Sequence, residues 1–284
     1  MTEITVQTQL CGVLGNPVEH SLSPAIHNAA FRKLGLNFVY LAFKVEDLEG
    51  AMRGIRALGN LRGFSVTIPH KVAVLRYLDE IETTARRIGS INTIVVEDGR
   101  LKGFNTDATG ALRALEHGGV QPKGKRVLIL GSGGAARAIA FAVSGTKPAG
   151  LTILGIDDRE RDTLVQDLRR QTGAAVEQGS MTEAGLRTAV AQADILIHCT
   201  PIGMHPKTGE SCVPASLLQS RLTVMDIVYN PRDTQLLRDA RAAGCRTIPG
   251  LEMFLHQAIA QFELWTGRPA PSDVMRAVLE SHFS

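Results

Sequence analysis

Cysteine is sparse and badly placed for structural chemistry. Cys11, Cys199, Cys212 and Cys245 are far apart, form no CxxC pair and have no histidine at ligand spacing. A disulfide framework and a zinc centre are therefore not expected, no metal is assigned, and four idle thiols fit a reducing compartment. The chain also lacks a basic block and any interleaving of aromatic with basic residues, so a nucleic-acid surface is not expected. No segment approaches the roughly 20 apolar residues of a membrane span. The opening "MTEITVQTQL" has neither the basic start nor the apolar run of a signal peptide, which places the protein in the cytoplasm. Repeats and low-complexity tracts are absent.

What is present is ample hydrophobic material. At 284 residues, 44% of them hydrophobic, the chain can bury the core of two domains, or of one domain and a lobe. Its formal charge of +3 suits a small anionic ligand better than a polyanion.

The pattern alternates strand-like and helical segments, an α/β class. Strand-like runs "CGVLG", "NFVYLAF", "GFSVTI" and "INTIVVEDG" occupy the first third. Between them "DLEGAMRGIRAL" sets Leu48, Ala51, Met52, Ile55 and Leu58 on one helical face. After the helix-like "ATGALRALEHGG", the Pro and Gly of "VQPKGK" punctuate a boundary. A second βαβ series follows, with strands "RVLIL", "LTILGI", "DILIHCT" and "TVMDIVY" so continuously apolar that they read as parallel strands covered on both faces.

Between the strand "RVLIL" and an Ala-rich helix, Gly131, Gly133 and Ala136 fill the G-x-G-x-x-G/A positions, with Gly134 and Ala135 at the helix start. Gly131 permits the tight turn, Gly133 lets the backbone approach a pyrophosphate, and the helix start offers N–H groups to its charge. Asp157 and Asp158 end the next strand at the distance where a dinucleotide fold places its ribose-binding acid. A carboxylate there accepts both ribose hydroxyls of NAD and repels the 2′-phosphate of NADP, so NAD is expected in preference. Arg159 and Arg161 could still hold a 2′-phosphate.

In the first lobe, Ser23 and Pro24 read as the cap and first residue of a helix, while Ser21 and Ser23 beside open N–H groups could also grip a carboxylate. "SVTIPHK", "GSINTIV" and "GFNTDATG" place Thr67, Lys71, Asn92, Asn105, Thr106 and Asp107 at strand ends. Each has a bland role available: strand filler, surface charge, turn residue, helix cap. Their recurrence at strand ends of one lobe favours a site.

"GNPVEHSLSP", "VTIPHK", "GSINTIV", "FNTD", "GSGGAARA", "CTPIGM", "VYNP" and "IPGLEMFLHQAIAQFELWTG" run nearly the whole chain in one order, and together resemble the shikimate dehydrogenase family, closest to its NAD-using quinate/shikimate branch. The resemblance implies a substrate-binding domain over 1–107, completed by C-terminal helices in 250–284, a Rossmann-type dinucleotide domain over 108–249, and a cleft site. It implies reversible oxidation of a secondary hydroxyl on a cyclic polyol carboxylate, shikimate or quinate, with hydride passing to NAD(P). Carried over by position, Ser21 and Ser23 meet the substrate carboxylate. Thr67, Asn92 and Gln257 meet ring hydroxyls, and Tyr229 stands near the substrate. Lys71 and Asp107 form the catalytic pair, while Thr200, Met204 and Gly250 line the nicotinamide pocket. Asp158 takes the ribose. A monomer or homodimer is expected.

The chain departs from the family in two places. NADP-using members carry an Asn-Arg-Thr/Ser run where this chain has "GIDDRER", which strengthens the NAD expectation. His198 stands where Asn is common, either as a satisfied core histidine or as a change in how the nicotinamide loop is held. Two other readings stay open: the same fold acting on another ring such as aminoshikimate, and a non-catalytic dinucleotide sensor.

Overall fold

A computed structural model describes residues 4–283. Contacts divide the chain into two compact units, one of residues 1–106 with 257–284, the other of residues 107–256. Both divisions fall inside helices, Thr106–His117 and Gly250–Thr266.

The first unit holds a six-stranded mixed sheet of β1 (Gln9–Gly15), β2 (Phe38–Lys44), β3 (Leu61–Val66), β4 (Glu80–Ile81), β5 (Thr93–Glu97) and β6 (Arg100–Phe104), in the order β2-β1-β3-β5-β6-β4. β1 runs parallel to β2 and β3, whereas β5 is antiparallel to β3 and to β6. The carboxyl ends of β1, β3 and β6 and the amino end of β5 therefore share one edge. Helix Leu48–Ala57 starts on an Asp47 cap that accepts from the Gly50 N–H, and it buries Leu48, Met52 and Ile55 as its periodicity requires. Leu58 does not join them: the chain turns extended there, and its side chain is 56% exposed. Trp265, fully buried, donates its indole N–H to Ile94 O, so the end of the helix Gly250–Thr266 is fixed to the sheet by a bond as well as by packing.

The second unit is a six-stranded sheet of β7 (Arg126–Leu130), β8 (Gly150–Gly155), β9 (Val176–Ser180), β10 (Ile195–His198), β11 (Thr223–Asp226) and β12 (Arg246–Ile248). Its order is β9-β8-β7-β10-β11-β12 and every pairing is parallel. That is the doubly wound arrangement, whose ligand site lies outside the carboxyl ends of the strands where the order reverses, here between β7 and β10. Leu128, Leu130, Leu154, Leu196 and Val224 fill the core against Leu186, Val190, Leu236 and Leu237 of the covering helices. Among the described residues no helix is long and apolar enough to cross a membrane, and all four cysteines are free.

Candidate active site

The dinucleotide side starts from β7. Gly131 has φ +117°, a conformation that side chains resist, and its N–H donates to Leu154 O at 2.7 Å. A Cβ on Gly131 would lie 3.0 Å from Cys199 O and 3.2 Å from Thr200 Cγ2, so the turn after β7 packs directly on the loop after β10. Gly133 caps the helix Gly134–Gly145, whose first turn, with Gly134 and Ala135, carries no acidic side chain. A cradle of this shape and sign accepts a pyrophosphate.

Thr200, Met204, Tyr229 and Gly250 all gather at the carboxyl ends of β10 and β11. Thr200 is half-buried, Met204 is exposed, and the His205 N–H reaches Asn230 O, tying the Met204 loop to the Tyr229 segment. The Tyr229 and Phe254 rings lie 4.5 Å apart. At Gly250 a Cβ would come within 2.5 Å of both Ile227 O and Val228 O, so only glycine lets the helix Gly250–Thr266 start this close to β11. Gly250→Ala is expected to destabilise the protein by about 1–3 kcal/mol through forced backbone displacement, read as a lower denaturant midpoint. An unchanged midpoint would show that the helix start shifts freely.

The acids after β8 are committed to the helix that follows. Asp157 caps it by accepting from the Glu160 N–H. Asp158 takes Arg161 Nη1 at 2.5 Å, and Arg161 also binds Asp162, so the guanidinium is neutralised by carboxylates. Ile156, between strand end and cap, is 76% exposed.

In the first unit the predicted residues collect on the shared sheet edge, and Asp107, the first residue of the second unit, follows Thr106 directly. Ser23 opens the helix Ser23–Lys33, but Leu22 rather than Ser23 takes the cap position, leaving Pro24 as the second helical residue. Ser21 Oγ accepts the Ser23 N–H at 3.3 Å, so a residue two positions earlier does the capping work expected of Ser23. Thr67 leaves β3 with its N–H on Leu14 O, and Lys71 lies half-buried in the short helix His70–Ala73. Ile91 N–H donates to Lys71 O at 2.8 Å, which holds the lysine backbone beside Asn92.

Asn92 is buried and heavily used. Its Oδ1 accepts from Thr106 N–H at 2.7 Å and Thr93 Oγ1 at 2.8 Å, and its Nδ2 donates to Thr106 Oγ1 at 2.9 Å. Asp107, also buried, follows Thr106 in the first turn of Thr106–His117, where a carboxylate is favoured by the helix dipole. Gln257 is buried one helical turn before Gln261.

Sequence reading missed the layer beneath. Tyr40 O–H donates to Ser65 Oγ at 2.7 Å, Ser65 Oγ donates to Gln261 Oε1 at 2.8 Å, and Gln261 Nε2 donates to Asn92 O and Thr93 Oγ1. Burial pushes the Tyr40 phenol well above its ordinary value, against hydroxyl contacts from Ser65 and Ser23. One buried chain thus links Ser23 to Asn92 and fixes both. The usable signal was Ser65, a polar residue set between Phe64 and Val66 in a buried strand.

Fold and site define a two-unit α/β protein with a switch-point glycine cradle for a dinucleotide. A family model described as the shikimate dehydrogenase substrate binding domain matches residues 13–94, and one described as the shikimate 5'-dehydrogenase C-terminal domain matches residues 250–280. A shikimate dehydrogenase (NADP(+)) of Moorella thermoacetica is 47% identical over 98% of this chain and 95% of its own. The structure of shikimate 5-dehydrogenase from Listeria monocytogenes in complex with shikimate and NAD superposes with a TM-score of 0.91 at 39% identity, covering 98% of this chain and 99% of that one. Quinate dehydrogenase from Corynebacterium glutamicum in complex with NAD gives 0.89 at 32% identity, covering 96% and 99%. The chain belongs to the shikimate dehydrogenase family.

Proposed function

We propose that this protein interconverts shikimate and its 3-dehydro ketone, and accepts quinate, by hydride exchange with a nicotinamide dinucleotide. The carrying observation is the shared edge of the first sheet, where a satisfied polar layer fixes the buried Asn92 amide and Lys71 stands beside it, a set suited to a polyol acid. A non-catalytic sensor would have no use for the lysine.

The residues after β1–β6 and in the helix containing Gln257 form the substrate-binding part, and the β7–β12 unit the dinucleotide part. Gly131, Gly133, Gly134 and Ala135 hold the pyrophosphate, with Thr200, Met204 and Gly250 toward the nicotinamide. The bound dinucleotide supplies the hydride acceptor. Ser21 and Ser23 bind the carboxylate, while Thr67, Asn92 and Gln257 bind ring hydroxyls and Tyr229 stands near the substrate. Lys71 takes the carbinol proton as the hydride leaves and returns it in the reverse direction, and Asp107 orients the ammonium and the reacting hydroxyl.

NAD is the proposed preference, in contrast to the curated relatives named for NADP(+). Support comes from the acids after β8, with Arg161 already claimed by Asp158 and Asp162. Asp158→Ala removes a repelling carboxylate and frees the Nη1 arm of Arg161, so it is expected to raise the NADP-to-NAD ratio of kcat/KM by about tenfold, equivalent to 1.4 kcal/mol. No change in the ratio would move the ribose contact elsewhere. Initial rates with shikimate and quinate, each with NAD and NADP, test the reading itself, and silence in all four mixtures would refute it. Four free thiols support a cytoplasmic location, and a monomer or homodimer is proposed.

A further inference from the structure

His198 is the last residue of β10, and its ring is 1% exposed. Nδ1 lies 2.8 Å from Asp226 Oδ1 on the neighbouring strand, and Nε2 lies 2.5 Å from Thr200 Oγ1. Asp226 is itself saturated: Oδ1 also accepts the Val228 N–H, and Oδ2 accepts the Thr234 hydroxyl at 2.6 Å. Three groups thus converge on one buried carboxyl, and the imidazole is the only titratable one among them. The arrangement is thus carboxylate, imidazole, hydroxyl, in line, ending on the loop that packs against Gly131 of the glycine turn.

Counting protons on Thr200 shows what the line does. Its oxygen accepts from the Ile202 N–H at 3.3 Å. If the imidazole were neutral with its proton on Nδ1, Nε2 would be an acceptor and would consume the Thr200 O–H. With both nitrogens protonated, Nε2–H donates to the oxygen, both acceptor positions of Thr200 are filled, and its O–H remains for another acceptor. We propose that His198 is a positioning residue for the dinucleotide: held as an imidazolium by Asp226, it fixes Thr200 against the glycine turn with the hydroxyl proton free to donate to the bound cofactor. This rests on the assignment of Thr200 to the dinucleotide site.

The groups facing the ring agree with the charged form. Burial alone would lower the imidazole, but the Asp226 carboxylate, with the Cys212 sulfur nearby, raises it to about 10. Cys199, the next residue, has a thiol that burial pushes well up, so it stays neutral.

The test measures dinucleotide dissociation constants by titration calorimetry on the full chain, with NAD and with NADP, for wild type, Thr200→Val, His198→Phe and the double variant. Each single change is expected to weaken binding about three- to tenfold, the value of one hydrogen bond, and the double variant to be no weaker than the poorer single. The gap between wild type and Thr200→Val is expected to close as pH rises through the loss of the His198 proton, because a neutral ring takes the hydroxyl back. Additive losses, or a gap constant with pH, would overturn the proposal. Should His198→Phe fail to fold because Asp226 is left without its partner, the pH dependence of the Thr200→Val gap decides alone. Wild-type protein that binds neither dinucleotide would overturn the functional reading and this proposal together, whereas binding with additive losses overturns only this proposal.

Discussion

Lys71→Ala is expected to lower kcat by about a hundredfold to ten-thousandfold, the range that a positioned proton acceptor supplies. Dinucleotide affinity should stay within about twofold, since Lys71 lies on the first sheet's edge and not in the β7–β12 unit. The expectation rests on placement. Lys71 is half-buried, its carbonyl is bonded to the Ile91 N–H, and the next residue along, Asn92, is locked by Thr93 and Thr106. Removal of a lysine that is only a solvated surface charge would cost nothing. Steady-state rates with shikimate, together with a dinucleotide titration, distinguish the two: near-normal turnover refutes the assignment, and loss of dinucleotide binding would show that the variant is damaged more widely. Asp107→Asn should lower kcat as well, because the ammonium and the reacting hydroxyl lose the carboxylate that orients them.

A second large effect is an acid sensitivity confined to the first unit. His27 is fully buried, stacked 4.7 Å from the Tyr40 ring and 5.1 Å from Trp265, and neither ring nitrogen has a hydrogen-bond partner. Burial drives its imidazole down from 6.5 to about 3, with the nearby Gln261 amide pulling the other way. The native state therefore keeps His27 neutral while the unfolded chain binds a proton below about pH 6.5. Stability is full above 6.5 and falls as pH drops toward 3, by up to about 5 kcal/mol at 1.36 kcal/mol per unit. His198 has the opposite sign. Raised to about 10, it contributes stability that is complete below 6.5 and is lost as pH rises through 10.

The single tryptophan of the chain, Trp265, sits beside His27, so its fluorescence reports on the unit concerned. Denaturant midpoints followed at Trp265 should fall steeply from pH 7 to 4 in wild type and much less in His27→Phe, where an apolar ring replaces the unpartnered imidazole. Parallel pH dependence in the two proteins would remove His27 as the cause.

The helix Leu48–Ala57 and the strands β7, β8, β10 and β11 were legible because burial imposes period on a helix and continuous apolarity on a strand covered on both faces. β9, "VEQGS", was not: an edge strand pairs on one side and buries only Val176 among its five residues, so it carries no apolar run. β6 and β12 escaped for similar reasons, being short and interrupted by charge. The candidate site residues divide along the same line. Glycines at 131 and 133, and Ser21, Thr67, Lys71, Asn92 and Asp107, stand in local motifs at strand ends. The support beneath them draws Tyr40, Ser65 and Gln261 from separations of 25 and 196 residues, which no local pattern records.

His198 shows the division within one side chain. As a departure from its family's pattern it stood out in the sequence, but both a core role and a loop-holding role remained open there. The parallel register that sets His198 opposite Asp226, and the turn that returns Thr200 onto its other nitrogen, exist only in the folded sheet. Local sequence determined the elements, the glycine turn and the reactive residue types, because propensity and periodicity act over a few residues. Tertiary structure alone decided which polar groups are satisfied and which are charged, because burial and hydrogen bonding depend on neighbours brought together from distant strands.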